Sequence, residues 1–143
     1  MIKRVKGAGK IKNVTARKNP KLFYDNIWFK SMLEVYMYQQ LEKLGEKFTY
    51  EAKKYQIVEG FEYLDEKIRP IHYTPDFEMV DYPVIVETKG FATDSFGLRM
   101  KLFKRYVKNE SIMKRSKLKW IFVPHNQKEC REVIEQIKEK FNL

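Results

Sequence analysis

Ten residues separate Asp76 from the run Glu87-Thr88-Lys89, which closes an apolar segment Val84-Ile85-Val86. Alternate side chains of a strand share a face, so Glu87 and Lys89 point one way and Val84, Val86 and Thr88 the other. If Asp76 ends a neighbouring antiparallel strand, the stretch Glu78 to Tyr82 is long enough for a hairpin that brings Asp76 beside Glu87. Hard divalent cations prefer oxygen ligands, and one or two carboxylates with a phosphate oxygen suffice. Asp76 and Glu87 are therefore candidate ligands for Mg²⁺ or Mn²⁺. Lys89 is a candidate for orienting the attacking water and offsetting charge on a pentacoordinate phosphate. Two acids and a lysine at one point on a sheet are the parts of a metal-dependent phosphodiester hydrolase.

The elements needed to position them can be read from periodicity. Leu33, Met37, Leu41 and Leu44 make one stripe of an amphipathic helix over Trp28 to Leu44, with Gly45 as its stop. Phe48 to Val58 reads as extended, Gly60 to Lys67 as a turn or hairpin tip, Arg69 to Phe77 as a returning strand, and Pro83 to Lys89 as the most buried strand. A second helix is predicted from Leu98 to about Met113, with Leu98, Leu102, Tyr106 and Ile112 or Met113 facing the sheet. A short strand over Lys119 to Val123 and a helix over Glu129 to Phe141 follow, the latter with Val133, Ile134, Ile137 and Phe141 inward. The order is αβββαβα, an α/β fold with helices flanking a small mixed sheet. Residues 1–21 read as a basic flexible arm, and 22–143 as one domain.

Charge names the class of partner. The formal net charge is +10, with eight Lys/Arg and no acid in residues 1–21, and nine Lys/Arg with one acid in residues 98–119. The remaining residues are net acidic and contain the candidate ligands. Two cationic segments around an acidic centre suit a polyanion gripped at its flanks while its backbone meets a metal. Lys10, Lys12, Arg17 and Lys18 of the arm are candidate DNA contacts. So are Arg99 and the ridge Lys101, Lys104, Arg105 and Lys108, spaced i, i+3, i+4, i+7 on one helix face. An ordinary solvated helix face is the alternative for that ridge. The aromatic residues lie mostly at core spacings, not as a base-stacking platform. His72 and His125 are too few for a histidine-rich metal site. No apolar run approaches a membrane span, the N-terminal stretch lacks an apolar secretory segment, and the single cysteine, Cys130, fits a reducing cytoplasm.

Pro-Asp ahead of Glu-x-Lys on adjacent strands, in this order of elements, resembles the PD-(D/E)xK (restriction-endonuclease-like) nuclease superfamily. The series Phe29-Lys30-Ser31-Met32-Leu33-Glu34, Phe48-Thr49-Tyr50-Glu51, Tyr73-Thr74-Pro75-Asp76-Phe77 and Val86-Glu87-Thr88-Lys89-Gly90 is similar to the bacteriophage endonuclease I family of Holliday-junction-resolving enzymes. Gly90-Phe91-Ala92-Thr93 with the residues after Leu98 also resembles a group of small phage proteins thought to share that fold. The resemblance implies an αβββαβ core and a Mg²⁺- or Mn²⁺-dependent endodeoxyribonuclease acting on four-way DNA junctions in the host cytoplasm. It implies Glu34 as a further metal and catalytic residue, and the Thr88 carbonyl as a ligand. It also implies an intertwined homodimer whose sites draw Glu34 from one chain and Asp76, Glu87 and Lys89 from the other. The stretch between Tyr55 and Tyr73 is longer than that family's linker and can form its own hairpin, so a closed monomer or a conventional dimer is the alternative to strand exchange. Glu34 has a second possible role, because Ser31-Met32-Leu33-Glu34 fits a capping box, which would fold its side chain back on its own helix. Competing functions are a superfamily nuclease cutting ordinary duplex, a non-catalytic DNA-binding protein of the same fold, and, more remotely, a basic RNA-binding protein.

Overall fold

The computed structural model describes residues 19–143. A 3₁₀ turn over Pro20–Leu22 leads into a two-stranded ribbon, β1 (Phe23–Tyr24) and β2 (Ile27–Trp28), then helix α1 (Met32–Leu44). Strands β3 (Phe48–Tyr50), β4 (Tyr55–Val58), β5 (Phe61–Tyr63), β6 (Glu66–Ile68), β7 (Ile71–Tyr73), β8 (Phe77–Met79) and β9 (Val84–Val86) follow. Helix α2 (Asp94–Lys114), strand β10 (Trp120–Phe122) and helix α3 (Gln127–Phe141) complete the chain.

The central sheet has the order β10-β9-β8-β3. β3, β8 and β9 are antiparallel neighbours, and β10 joins β9 in parallel after the α2 crossover. This is a mixed α/β fold with a small mixed sheet and three helices. Val84 and Val86 face a core built with Phe77, Met79, Met37 and Leu41 of α1, and Val133, Ile134 and Ile137 of α3. Ile85 faces the second core with Met100, Phe103 and Val107 of α2 and with Tyr55 and Tyr73. β9 is buried on both faces, as its unbroken apolar run predicts. Cys130 is a core residue without a partner, and burial pushes its thiol up to about 11. Among the described residues no helix is long and apolar enough to cross a membrane.

Three expectations are corrected, while Gly45 and the hairpin over Gly60 to Lys67 are as expected. The first helix starts at Met32, because Trp28 pairs with Phe23 in the β1–β2 ribbon and Ser31 caps the helix. Gly45 ends it as expected, with φ 82° in the left-handed region that favours glycine. The single strand expected over Arg69 to Phe77 is two, β7 and β8, interrupted by a bend at Thr74-Pro75-Asp76. Gly60 to Lys67 is a true hairpin, β5–β6, extending the β4–β7 pair. Helix α2 begins four residues earlier than predicted and turns a different face inward. Met100, Phe103 and Val107 are buried, whereas Leu98, Ile112 and Met113 are exposed. The reason is outside the helix. Phe103 stacks on Tyr73 at 4.5 Å and meets Tyr55 edge-on at 5.3 Å, so the β4–β7 pair selects the docking face.

A candidate metal centre at one end of the sheet

β9 continues its parallel ladder past its last regular residue. The Glu87 N–H donates to the Phe122 carbonyl (2.9 Å) and the Lys89 N–H to the Pro124 carbonyl (3.0 Å). That pairing pins the backbone of Glu87 and Lys89 without engaging their side chains. Across β9, the bend before β8 lifts Asp76 out of regular pairing. Its N–H donates to Glu87 Oε2 (3.0 Å), and its own Oδ2 accepts from both the N–H (2.8 Å) and the hydroxyl (2.7 Å) of Thr88. Asp76 is thus locked by Thr88, with its second carboxylate oxygen unbonded among the described residues.

Two further acids reach Asp76 from α1 and β3. One carboxylate oxygen from each of Glu34, Glu51 and Asp76 lies within 4.8 Å of the other two. Glu51 follows β3 with a left-handed backbone (φ 45°), rare for this residue type, and its N–H donates to the Asp76 carbonyl (2.8 Å). Tyr50 donates its hydroxyl to Glu34 Oε2 (2.6 Å). Lys30 pairs with Glu51 at 2.5 Å.

The helix cap at Ser31 does not draw the Glu34 carboxylate away from the other acids. The Glu34 N–H donates to Ser31 Oγ (3.1 Å), which caps the helix. Its carboxylate accepts from the Lys30 N–H (3.2 Å), not from the N-cap residue, and still joins the cluster. Ser31→Ala should therefore cost about 1 kcal/mol in urea unfolding, and an unchanged unfolding midpoint would show that the cap contributes nothing to α1.

Burial dominates the electrostatics. Asp76 is 6% exposed and Glu34 7%. Burial pushes the Asp76 carboxyl above the usual carboxylate range, with Glu34 adding to it and the Thr88 bonds opposing it. Burial and then the Asp76 charge push Glu87 up as well. Lys30 is held above the usual lysine range chiefly by its bond to Glu51, with Glu34 and Asp76 adding. The Tyr73 hydroxyl is buried with no partner at hydrogen-bonding geometry, yet within electrostatic reach of Glu87, and burial raises its pKa. The converging carboxylate oxygens of Glu34, Glu51 and Asp76 fit the all-oxygen donor set that a hard divalent ion prefers.

Of the residues expected at the site, Glu34, Asp76, Glu87 and Thr88 form one network within a single chain. The side chain of Thr88 positions Asp76, a role its sequence position did not suggest. Lys89 is near enough to Glu87 to oppose that acid's raised pKa, and its ammonium sits 5.0 Å from the Phe96 ring centroid. His125, assigned no role from sequence, meets the Lys89 carbonyl through Nδ1 (2.6 Å). Lys101, Lys104, Arg105 and Lys108 are exposed on α2, with no ion-pair partner among the described residues. Arg99 stands apart from them, because its guanidinium donates to the His72 carbonyl (2.7 Å). Lys10, Lys12, Arg17 and Lys18 lie outside the described residues. Glu51, Tyr50 and Lys30 were missed as site residues. The available signal was that Glu51 directly follows a strand, but only the Tyr50–Phe77 register sets it opposite Asp76.

No curated protein and no solved structure matches this chain. Residues 15–128 match a family model described as "Protein of unknown function (DUF1064)". That span takes in the cluster, the sheet and all of α2, and the chain belongs to the DUF1064 family.

Proposed function

We propose that this protein is a Mg²⁺- or Mn²⁺-dependent endonuclease of the PD-(D/E)xK type that hydrolyses phosphodiester bonds in branched DNA, with four-way junctions as the preferred substrate. The observation that carries this reading is the convergence of carboxylate oxygens from Glu34, Glu51 and Asp76, three separate elements, with Glu87 accepting from the Asp76 N–H and Lys89 near Glu87. Gathering acidic side chains this closely in a partly dehydrated site costs the fold free energy even where each has a hydrogen-bond partner.

Asp76, Glu34 and Glu87 would hold the cation, with Glu51 and the Thr88 carbonyl available to complete the set. When bound, such an ion polarises the scissile phosphate and lowers the pKa of a coordinated water. Thr88 holds the Asp76 carboxylate in place, Tyr50 holds that of Glu34, and Lys89 supplies positive charge beside the phosphate. Lys101, Lys104, Arg105 and Lys108 would grip the flanking backbone, positioning DNA without reading its sequence. A homodimer would supply two such sites for the paired nicks that a four-way junction needs.

The test is cleavage in Mn²⁺ of matched junction, flap, nicked and linear DNA. Cleavage of the junction well above linear duplex is expected. Equal cutting of all four would replace the junction reading with a general duplex nuclease. Binding without cutting under any divalent metal would leave a non-catalytic DNA-binding protein.

A further inference from the structure

Phe91 lies two residues beyond Lys89 and is 83% exposed, the most exposed aromatic ring among the described residues. The other phenylalanines of the neighbourhood, Phe96, Phe103 and Phe122, are at least partly buried, as core spacing predicts. Phe91 is the exception, and hydrophobic burial does not explain its position. The segment that carries it is not loose at its base. Lys89 is tied on both sides, its N–H to Pro124 and its carbonyl to His125. A side chain added at Gly90 would meet nothing within 4 Å, so the backbone next to Phe91 is uncrowded.

Helix α2, which follows Phe91 in the chain, exposes both apolar and cationic groups. Leu98, Lys101, Arg105, Lys108 and Ile112 recur at i, i+3, i+7, i+10 and i+14, one stripe of α2, and all are exposed. Leu98 is 63% and Ile112 65% exposed. A flat ring beside a phosphate-handling centre, followed by spaced cations, has the chemistry of a nucleobase face and the backbone attached to it. Continuous duplex has no free base face, because every base is stacked on both sides. A branch point, gap, nick or flap does offer one.

Resting on the nuclease reading above, we propose that Phe91 stacks on an unpaired or unstacked nucleobase next to the scissile phosphate and so selects interrupted over continuous DNA. Its effect would be on substrate choice, not on the chemistry carried by the acids.

The experiment compares wild type, Phe91→Ala and Phe91→Trp on a junction, a gapped duplex and a linear duplex. Cleavage is measured in Mn²⁺. Binding is measured in Ca²⁺ by the fluorescence of 2-aminopurine placed at the branch or gap. Phe91→Ala should lose about five- to a hundredfold on interrupted DNA, the range of one base–aromatic stack, with little change on linear duplex. It should also abolish the fluorescence change on binding, and Phe91→Trp should restore both. Equal losses on all three substrates, or wild-type behaviour of Phe91→Ala, would overturn the proposal while leaving the nuclease reading standing. A Phe91→Ala variant that changes the oligomeric mass instead would make the ring a protein contact and overturn it too. A wild type that neither binds nor cuts any of the three would remove the nuclease reading, and this proposal with it.

Discussion

Asp76→Asn is expected to lower metal-dependent DNA cleavage by at least about a hundredfold, the scale of losing one preorganised electrostatic group, without destabilising the fold. Both halves follow from the same geometry. Asp76 is buried beside Glu34 and Glu51, so its charge repels its neighbours, and burial already favours its neutral form. Asparagine keeps a side-chain oxygen for the two Thr88 donors and removes the repulsion. The thermal midpoint of the metal-free variant should therefore equal or exceed that of wild type, and DNA binding in Ca²⁺ should persist. Glu87→Gln should behave alike. Residues kept for function at a cost in stability have this signature. Cleavage within a few-fold of wild type would remove Asp76 from the site. A large fall in midpoint would make it a structural residue instead.

The second large effect is on pH dependence. Asp76 and Glu87 both have folded pKa values raised above the unfolded carboxylate range of about 4. For an acid so shifted, the unfolded chain binds fewer protons than the folded one at intermediate pH. The stabilising contribution is whole below the unfolded pKa and is lost as pH rises through the folded one. In chelator, then, wild type should lose stability relative to Glu87→Gln between about pH 5 and about pH 8. Mn²⁺ should reverse the trend, because a cation binds the ionised acids and must displace protons at low pH. The rise in midpoint with Mn²⁺ should be larger at about pH 8 than at about pH 5. Parallel pH curves for wild type and Glu87→Gln in chelator would show that Glu87 is not held protonated by the fold. Equal Mn²⁺ increments at both pH values would show that the cation binds elsewhere.

Much of this site was legible because its parts follow local rules. The run Val84-Ile85-Val86 announced a strand buried on both faces, and period-two alternation separated Glu87 and Lys89 from Thr88. Gly45 marked the end of α1, whereas its start was placed at Trp28 although the Ser31 capping pattern lay inside that range. The cationic residues of α2 were visible as a spacing and are exposed as expected. The inward face of that same helix was not legible. Two apolar stripes were available on α2, and the choice between them was made by Tyr55 and Tyr73, which reach Phe103 from a strand pair distant in sequence.

What the sequence determined by itself was the inventory: a mixed α/β order of elements, an acid ahead of an acid and lysine, and charge segregated for a polyanion. Tertiary structure decided which oxygens meet. Strand register set Glu51 opposite Asp76, the bend at Thr74-Pro75-Asp76 turned that carboxylate toward α1, and Thr88 fixed it there. It also decided that Ser31 caps the Glu34 N–H while the Glu34 carboxylate lies in the acid cluster. Periodicity fixes the face on which a side chain lies, but distances between elements depend on register and on where a strand breaks. Those are set by packing among residues far apart along the chain.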